Sequence, residues 1–398
     1  MKKNRIIKRT LEPYLKRASQ SLPVVALVGP RQSGKTTLAK MSFPDYYYIS
    51  LEDPDTRRRL ESDPRTFLHE TATKGGMIID EIQRIPELLS YIQTIVDEKD
   101  TPGQFILTGS QNFLLNQAIT QSLAGRVIFL TLLPLSIEEL RNADMLPEKL
   151  ESLIFKGGYP RIWSKDLTPE EIYPAYIHSY IERDVRQIQN VHDLKLFQNF
   201  LHLCAGRIGQ VINFTSLGND CGIDHKTVQA WLSILEESYI IFLFQPYYKN
   251  FGKRVIKAPK LYFYDTGIAC SLLRIESAND VALHYARGAL VESSIIADLY
   301  KQYYNIAREP GLYYWRDYKG TEIDCIVEQA LALTPIEIKA GRTITPKFFK
   351  PLENWRKLTN SKNSNYIIYA GNEDQHWTQG TIVSWKSAGN LIETLKIK

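Results

Sequence analysis

From Leu22 to about Pro134 the chain alternates short apolar runs with polar, helix-compatible stretches. The runs are Val24–Val28, Tyr46–Leu51, Met77–Ile79, Gln104–Leu107 and Val127–Leu132. They are continuous rather than alternating, which suits strands buried on both faces, as in a parallel sheet covered by helices. Short buried helices would give similar runs, but the β-branched content and the flanking Gly and Pro favour strands. The pattern predicts a doubly wound α/β domain over residues 1–134.

Beyond it the pattern changes. Residues 135–190 are rich in Glu and punctuated by Pro, with Gly157-Gly158-Tyr159-Pro160 as a turn, and predict a helical lid or connector. Residues 191–264 predict a helix over Leu196–Arg207, a second from Thr215-Ser216-Leu217, and a third from an Asp224 cap to about Ser238. The strand-like Tyr239–Phe244 and Lys260–Tyr264 follow, so this segment is expected to be a winged helix-turn-helix. The last domain, 265–398, predicts helix, three strands, helix and strand. Its strands are Leu312–Trp315, Glu322–Val327, Pro335–Lys339 and Tyr366–Tyr369.

Composition narrows the classes. At 398 residues and 44% hydrophobic the chain can fill several cores, and a net charge of +5 does not by itself announce a nucleic-acid binder. Cys204, Cys221, Cys270 and Cys325 stand far apart with no metal-finger spacing, as expected of buried free thiols in a reducing compartment. No run approaches the roughly 18 apolar residues of a membrane helix. A cytoplasmic protein without membrane contact is expected.

The sharpest chemical signal lies after the first strand. Gly29, Pro30, Arg31, Gln32, Ser33, Gly34, Lys35 and Thr36, continued by Thr37, match the G-x-x-x-x-G-K-[ST] phosphate loop. Only a glycine-rich turn lets successive amides point at one phosphate chain, and the following helix N-terminus adds partial positive charge. Lys35 would neutralise the β and γ phosphates of ATP, and the Thr36 hydroxyl would hold Mg²⁺. Met77–Glu81 is an apolar strand ending in two acids. Asp80 could bind Mg²⁺ through water and Glu81 activate the attacking water; alone, strands often end in charge. Ser110, Gln111 and Asn112 after the next strand could sense the γ-phosphate or simply form a polar turn. Arg126 is either an arginine finger for a neighbour's nucleotide or an ordinary surface arginine.

These residues resemble AAA+-type P-loop ATPases, and more narrowly a prokaryotic family of predicted AAA+ ATPases whose C-terminal domain of unknown function has a restriction-endonuclease-like core. The resemblance rests on VGPRQSGKTT (Val28–Thr37), IIDEIQ (Ile78–Gln83), ILTGSQ (Ile106–Gln111), LAGRV (Leu123–Val127), GGYPR (Gly157–Arg161) and YIERDV (Tyr180–Val185). It implies that Arg126 acts in trans within a ring or other homo-oligomer. GGYPR and YIERDV have no role derivable from sequence; lid or interdomain packing is the default.

Strand alternation puts Glu337 and Lys339 on one face and Ile336 and Ile338 on the other. With Asp324 on the preceding strand and Glu292 on a helix, the order resembles the PD-(D/E)XK nuclease core. Asp324 and Glu337 could ligate Mg²⁺ with help from Glu292, while Lys339 orients the water. A salt-bridged surface pair would look the same. His225, Lys226, Thr227 and Gln229 would face a DNA groove, with Trp231, Leu232 and Leu235 inward, although winged helices also serve as packing modules. The basic start (Lys2, Lys3, Arg5, Lys8, Arg9) could touch phosphate or form a solvated face. The expectation is an ATP- and Mg²⁺-dependent enzyme acting on DNA, with a nuclease-like tail. Its rival is a nucleotide-dependent switch for a protein partner whose nuclease fold has decayed.

Overall fold

The computed structural model describes residues 5–72, 75–110, 119, 121–165, 167–180, 185, 191, 193–248, 256–330, 332–360 and 363–396. Five strands, β1 (Val24–Gly29), β2 (Tyr47–Ser50), β3 (Met77–Asp80), β4 (Phe105–Ser110) and β5 (Val127–Thr131), form one sheet. Its order is β2-β3-β4-β1-β5, and every pairing is parallel. The continuous apolar runs are explained by two cores. Val24, Ala26, Ile79 and Leu107 pack with the helix Leu88–Lys99, while Val25, Leu27, Ile78 and Ile106 pack with the helices Glu12–Ser19 and Lys35–Ser42. Both faces are covered, as the run pattern requires.

The connector is helical, with helices Ile137–Asn142, Leu150–Lys156, Pro160–Lys165 and Pro169–Tyr180. Three more follow, Leu194–Gly206, Phe214–Cys221 and His225–Glu237. Asp224 caps the third through Lys226 and Thr227 amides, as its sequence position implies. The second is capped by Asn213, which accepts from the Ser216 amide, two residues ahead of the expected Thr215 start. The antiparallel pair β6 (Ile241–Phe244) and β7 (Lys260–Phe263) comes next.

The C-terminal sheet has six strands in the order β12-β13-β11-β10-β9-β8. They are β8 (Leu312–Arg316), β9 (Glu322–Gln329), β10 (Ala332–Lys339), β11 (Tyr366–Tyr369), β12 (Gln375–Trp377) and β13 (Gly380–Ser384). The last two were not expected; β12 has only three residues, and β13 pairs in parallel with β11 across the intervening β12. The 19-residue helix Arg287–Asn305 packs on one face and the helix Lys350–Thr359 on the other, where Trp315 and Trp355 meet edge to face at 5.3 Å.

One apolar core runs from Leu133 through the connector, the three-helix segment and the β6–β7 pair to Ile392. The helix Arg287–Asn305 also carries polar groups into it. Asp298 accepts from the Ile137 amide at 2.7 Å, Lys301 donates to the Leu135 carbonyl at 3.2 Å, and Asn305 reaches the Ser136 hydroxyl at 3.4 Å. These bonds fix the C-terminal domain to the chain leaving β5, beside the phosphate loop. No helix among the described residues is long and apolar enough to cross a membrane. All four cysteines are buried and unbridged.

Candidate functional site

Strand β1 carries the chain to Gly29, whose φ of +145° favours glycine and where a Cβ would lie 2.3 Å from the Leu132 carbonyl oxygen. Gly34, at φ +97°, turns the chain into the helix that starts at Lys35. The Lys35 ammonium donates to the carbonyls of Gly29 (3.0 Å) and Pro30 (2.8 Å), which holds it against the loop. Ser33 and Lys35 are buried.

The acids meet the loop as the spacing implied. Parallel pairing of β3 between β2 and β4 sets Asp80 opposite Ser50 and Thr108. Its carboxylate accepts from the Thr36 hydroxyl at 3.0 and 3.1 Å, from Tyr48 at 3.0 Å and from Thr108. Burial and the neighbouring Asp80 push the Tyr48 phenol up to about 12, so it stays a donor at neutral pH. Thr36 and Asp80 thus form a compact pair of oxygen groups of the kind Mg²⁺ prefers. Glu81 follows at φ +61°, a left-handed conformation uncommon for its residue type, and accepts from the Gln83 amide. Such strain of order 1–3 kcal/mol is usually kept where a side chain must point a particular way.

Together these groups line one side of a cleft of about 500 Å³, with Arg31, Gln32, Gly34, Thr37 and Glu52. Its other side comes from the connector: Pro160, Arg161, Ser164, Lys165, Tyr176 and Tyr180. The sequence predicts a lid or connector here but assigns none of these residues to the site. Arg161 and Lys165 add two cations to the anion-binding side of the molecule, and Arg161 is the last residue of the GGYPR segment. The two glycines before it explain the placement. Gly158 donates its amide to Asp265 at 2.6 Å, and a Cβ there would meet the Leu135 carbonyl oxygen at 2.5 Å. Trp163 donates to the Gly157 carbonyl at 3.0 Å, locking the turn from which the Pro160–Lys165 helix starts. A second cavity of about 140 Å³ adjoins the first across Gly34 and Pro160, and its lining includes Ile7, Leu38, Met41 and Leu135.

Arg126 is remote from its own cleft. The Val24 amide donates to the Arg126 carbonyl, at the end of β1 opposite Gly29. Five residue steps along the strand separate the two ends, roughly 16 Å. Its guanidinium forks onto Asp97, with one bond of 3.1 Å, and donates to the Ala124 carbonyl at 2.9 Å. Arg9, taken from sequence as part of a phosphate-touching or solvated basic start, is neither. It is buried and bonded to Glu139, Ser33 and Leu133, whereas Arg5 and Lys8 are exposed. Lys2 and Lys3 lie outside the described residues, as do Gln111, Asn112 and residues 181–184 of YIERDV. The Tyr180 hydroxyl of that segment donates to Ser238 at 3.0 Å.

The second cluster assembles where β9 begins and β10 ends. The antiparallel register runs to Ile336 with Cys325, so the next step brings Asp324 beside Glu337. Asp324 accepts from the Ile338 amide at 2.7 Å, and Lys339 reaches Glu337 at 2.5 Å and Asp324 at 3.5 Å. Glu337 is 2% exposed, and its Oε1 has no hydrogen-bond partner. Burial, followed by the charge of Asp324, pushes its carboxyl well above the usual range. Glu292 joins from the helix Arg287–Asn305; burial and Asp324 raise it to about 6. The orphaned Glu337 oxygen and the crowded carboxylates fit a divalent cation, which would be held by Asp324 and Glu337.

Three members were missed in the sequence. Lys260 and Tyr262 project from β7, and Glu322 lies two residues before Asp324 on the same strand face. Lys260 contacts Glu322 and lies 2.9 Å from Glu292, which also accepts from Tyr262. Burial lowers the Lys260 ammonium, but Glu292, Glu322 and Asp324 more than reverse this and hold it above its ordinary value. An x-x-K-x-Y stretch has no signature of its own. Only the reach of β7 into the cluster reveals it.

Residues 21–141 match the family model described as an AAA domain. That stretch of the chain is similar to AAA domains. Residues 147–279, which include most of the connector, and residues 287–388 match two further families, each described as a domain of unknown function. An uncharacterized protein of Mycobacterium tuberculosis is 29% identical over 354 residues, spanning 88% of this chain and 77% of the relative. An uncharacterized protein of Methanocaldococcus jannaschii is 26% identical over 296 residues, 66% of this chain and 64% of the relative. Among solved structures, a Walker-type ATPase of Pyrococcus abyssi superposes with a TM-score of 0.47 at 17% identity, covering 69% of this chain and 99% of the other. The stretch that matches the AAA model contains the loop, Asp80, Glu81 and Arg126.

Proposed function

We propose that the chain is a Mg²⁺-dependent ATPase that couples ATP binding and hydrolysis to remodelling or moving DNA, with a metal-dependent nuclease site in its C-terminal domain. ATP would lie with its phosphates on the Gly29–Thr36 amides, its Mg²⁺ on Thr36 and Asp80, and its base toward the small cavity beside Ile7 and Leu38. Lys35 and Arg161 balance the phosphate charge from opposite walls, and Glu81 orients the attacking water. Arg126 would complete a neighbouring subunit's site in a homo-oligomer, because it is too far from its own.

The observation that carries the DNA reading is the second centre itself: Asp324, Glu337 and Lys339 converge around a buried, unpartnered carboxylate oxygen. A metal-activated water on such a centre is suited to phosphodiester hydrolysis. The helix His225–Glu237 presents His225, Lys226 and Gln229 to solvent and buries Trp231, Leu232 and Leu235. This split supports the winged-helix reading, in which the exposed face would enter a groove. The buried, unbridged thiols suit a reducing cytoplasm.

The alternative is a nucleotide-dependent switch for a protein partner, with a nuclease fold that no longer cuts. One observation favours it: Lys260 already sits among the carboxylates. Hydrolysis measured with single-stranded, duplex and branched DNA separates the two. DNA stimulation, and Mg²⁺-dependent cleavage lost in Asp324→Ala while hydrolysis persists, is the expected result. Hydrolysis indifferent to every form of DNA would leave the switch.

A further inference from the structure

The C-terminal cluster holds four carboxylates, Glu292, Glu322, Asp324 and Glu337, and two ammonium groups, Lys260 and Lys339. One oxygen from each of Glu292, Glu322 and Asp324 lies within 4.8 Å of the others, the separation of ligands around a single cation. Lys260 bridges two of those three residues and is 3% exposed. The buried oxygen without a partner lies elsewhere, on Glu337.

We propose that the Lys260 ammonium is a built-in cation, occupying one of two cation positions in this centre and leaving a single divalent site at Asp324 and Glu337. This rests on the reading of the cluster as a metal centre, but not on its cutting DNA. Charge supports it. Lys260 already supplies a positive charge between Glu292 and Glu322, and Arg316 adds another to Glu322 at 3.4 Å, so a second divalent ion there would meet cations rather than bare carboxylates. Geometry supports it too. A lysine delivered by β7, from outside the C-terminal sheet, reaches Glu292 on a helix and Glu322 on β9, so three separate elements are tied at one point. Tyr262, from the same face of β7, donates to the same Glu292 oxygen as Lys260 and fixes which carboxylate the ammonium meets. Here the lysine stands where a second ion would be coordinated.

The experiment counts Mn²⁺ bound to the nucleotide-free full chain by electron paramagnetic resonance, in a Thr36→Ala background that removes the phosphate-loop ligand. The parent should bind one ion, lost in Asp324→Ala; Lys260→Gln should bind two and Lys260→Arg one. Two ions in the parent, or one in a folded Lys260→Gln, would overturn the proposal. Should Lys260→Gln fail to fold, Glu322→Gln decides. It should leave the affinity for the single ion within about threefold, whereas loss of a true ligand or its orienting partner costs about tenfold or more. A parent that binds no ion refutes this proposal and the metal reading together. A parent that binds one ion yet cuts no DNA refutes only the nuclease.

Discussion

Arg9 and Glu139 form a buried ion pair at 2.9 Å, 130 residues apart in sequence. The other arms of Arg9 donate to the carbonyls of Ser33 and Leu133 at 2.7 Å, so one guanidinium joins the phosphate loop to the chain leaving β5. Glu139 also closes a capping box with Ser136 and accepts from the Thr10 amide at 2.9 Å. Every face of the pair is satisfied, the condition under which a buried ion pair is tolerated.

Removing one partner should therefore be costly. Arg9→Met or Glu139→Gln should lower unfolding free energy by about 3–5 kcal/mol, read from urea midpoints, because a charge is left buried alone. The pH dependence has a definite sign. Burial pushes Glu139 up, but Arg9 and its hydrogen bonds more than offset this and hold it below the usual carboxylate value. Its contribution is present above the unfolded pKa and is lost as pH falls through the lower folded pKa. Wild type should lose stability over that acid window more steeply than Glu139→Gln; parallel curves would refute the pairing.

Lys35→Ala should lower ATP turnover by about 10²–10³-fold or more, the scale of removing a charge-stabilising donor from a phosphoryl-transfer site. Arg161→Ala tests the connector wall of the cleft and should weaken ATP affinity or slow turnover about tenfold, roughly the 1.4 kcal/mol of one screened charge contact. Steady-state hydrolysis and nucleotide titration check both. Unchanged turnover in Lys35→Ala removes the phosphate-loop assignment.

Arg126→Ala should lose hydrolysis that mixing with Glu81→Gln subunits partly restores, since each mutant supplies the group the other lacks. Because Asp97 holds the guanidinium within its own subunit, Asp97→Asn should free it and leave turnover at or above wild type. Lack of rescue at any mixing ratio would make Arg126 a surface residue with a local partner.

The centre of each site was legible in the residues that lie close together in sequence. The octet Gly29–Thr36 and the run Met77–Glu81 carry their chemistry in local spacing, and Glu337 with Lys339 declare themselves by strand alternation. The Asp224 cap and the inward Trp231 stripe followed from helical periodicity in the same way. Local pattern was misleading for Arg9, which looks like one more charge in a basic run until Glu139 is brought against it.

What sequence alone determined, then, was the five strands of the first sheet, the phosphate loop and the two acid-bearing strand ends, because backbone propensity and side-chain period act over a few residues. Only the tertiary structure decided that Arg161 faces the nucleotide cleft, that Arg126 lies at the far end of its sheet, and that Lys260 enters the acidic centre. Those outcomes depend on which elements meet across some thirty to more than a hundred residues, and packing and charge compensation between distant segments leave no periodic trace in the chain.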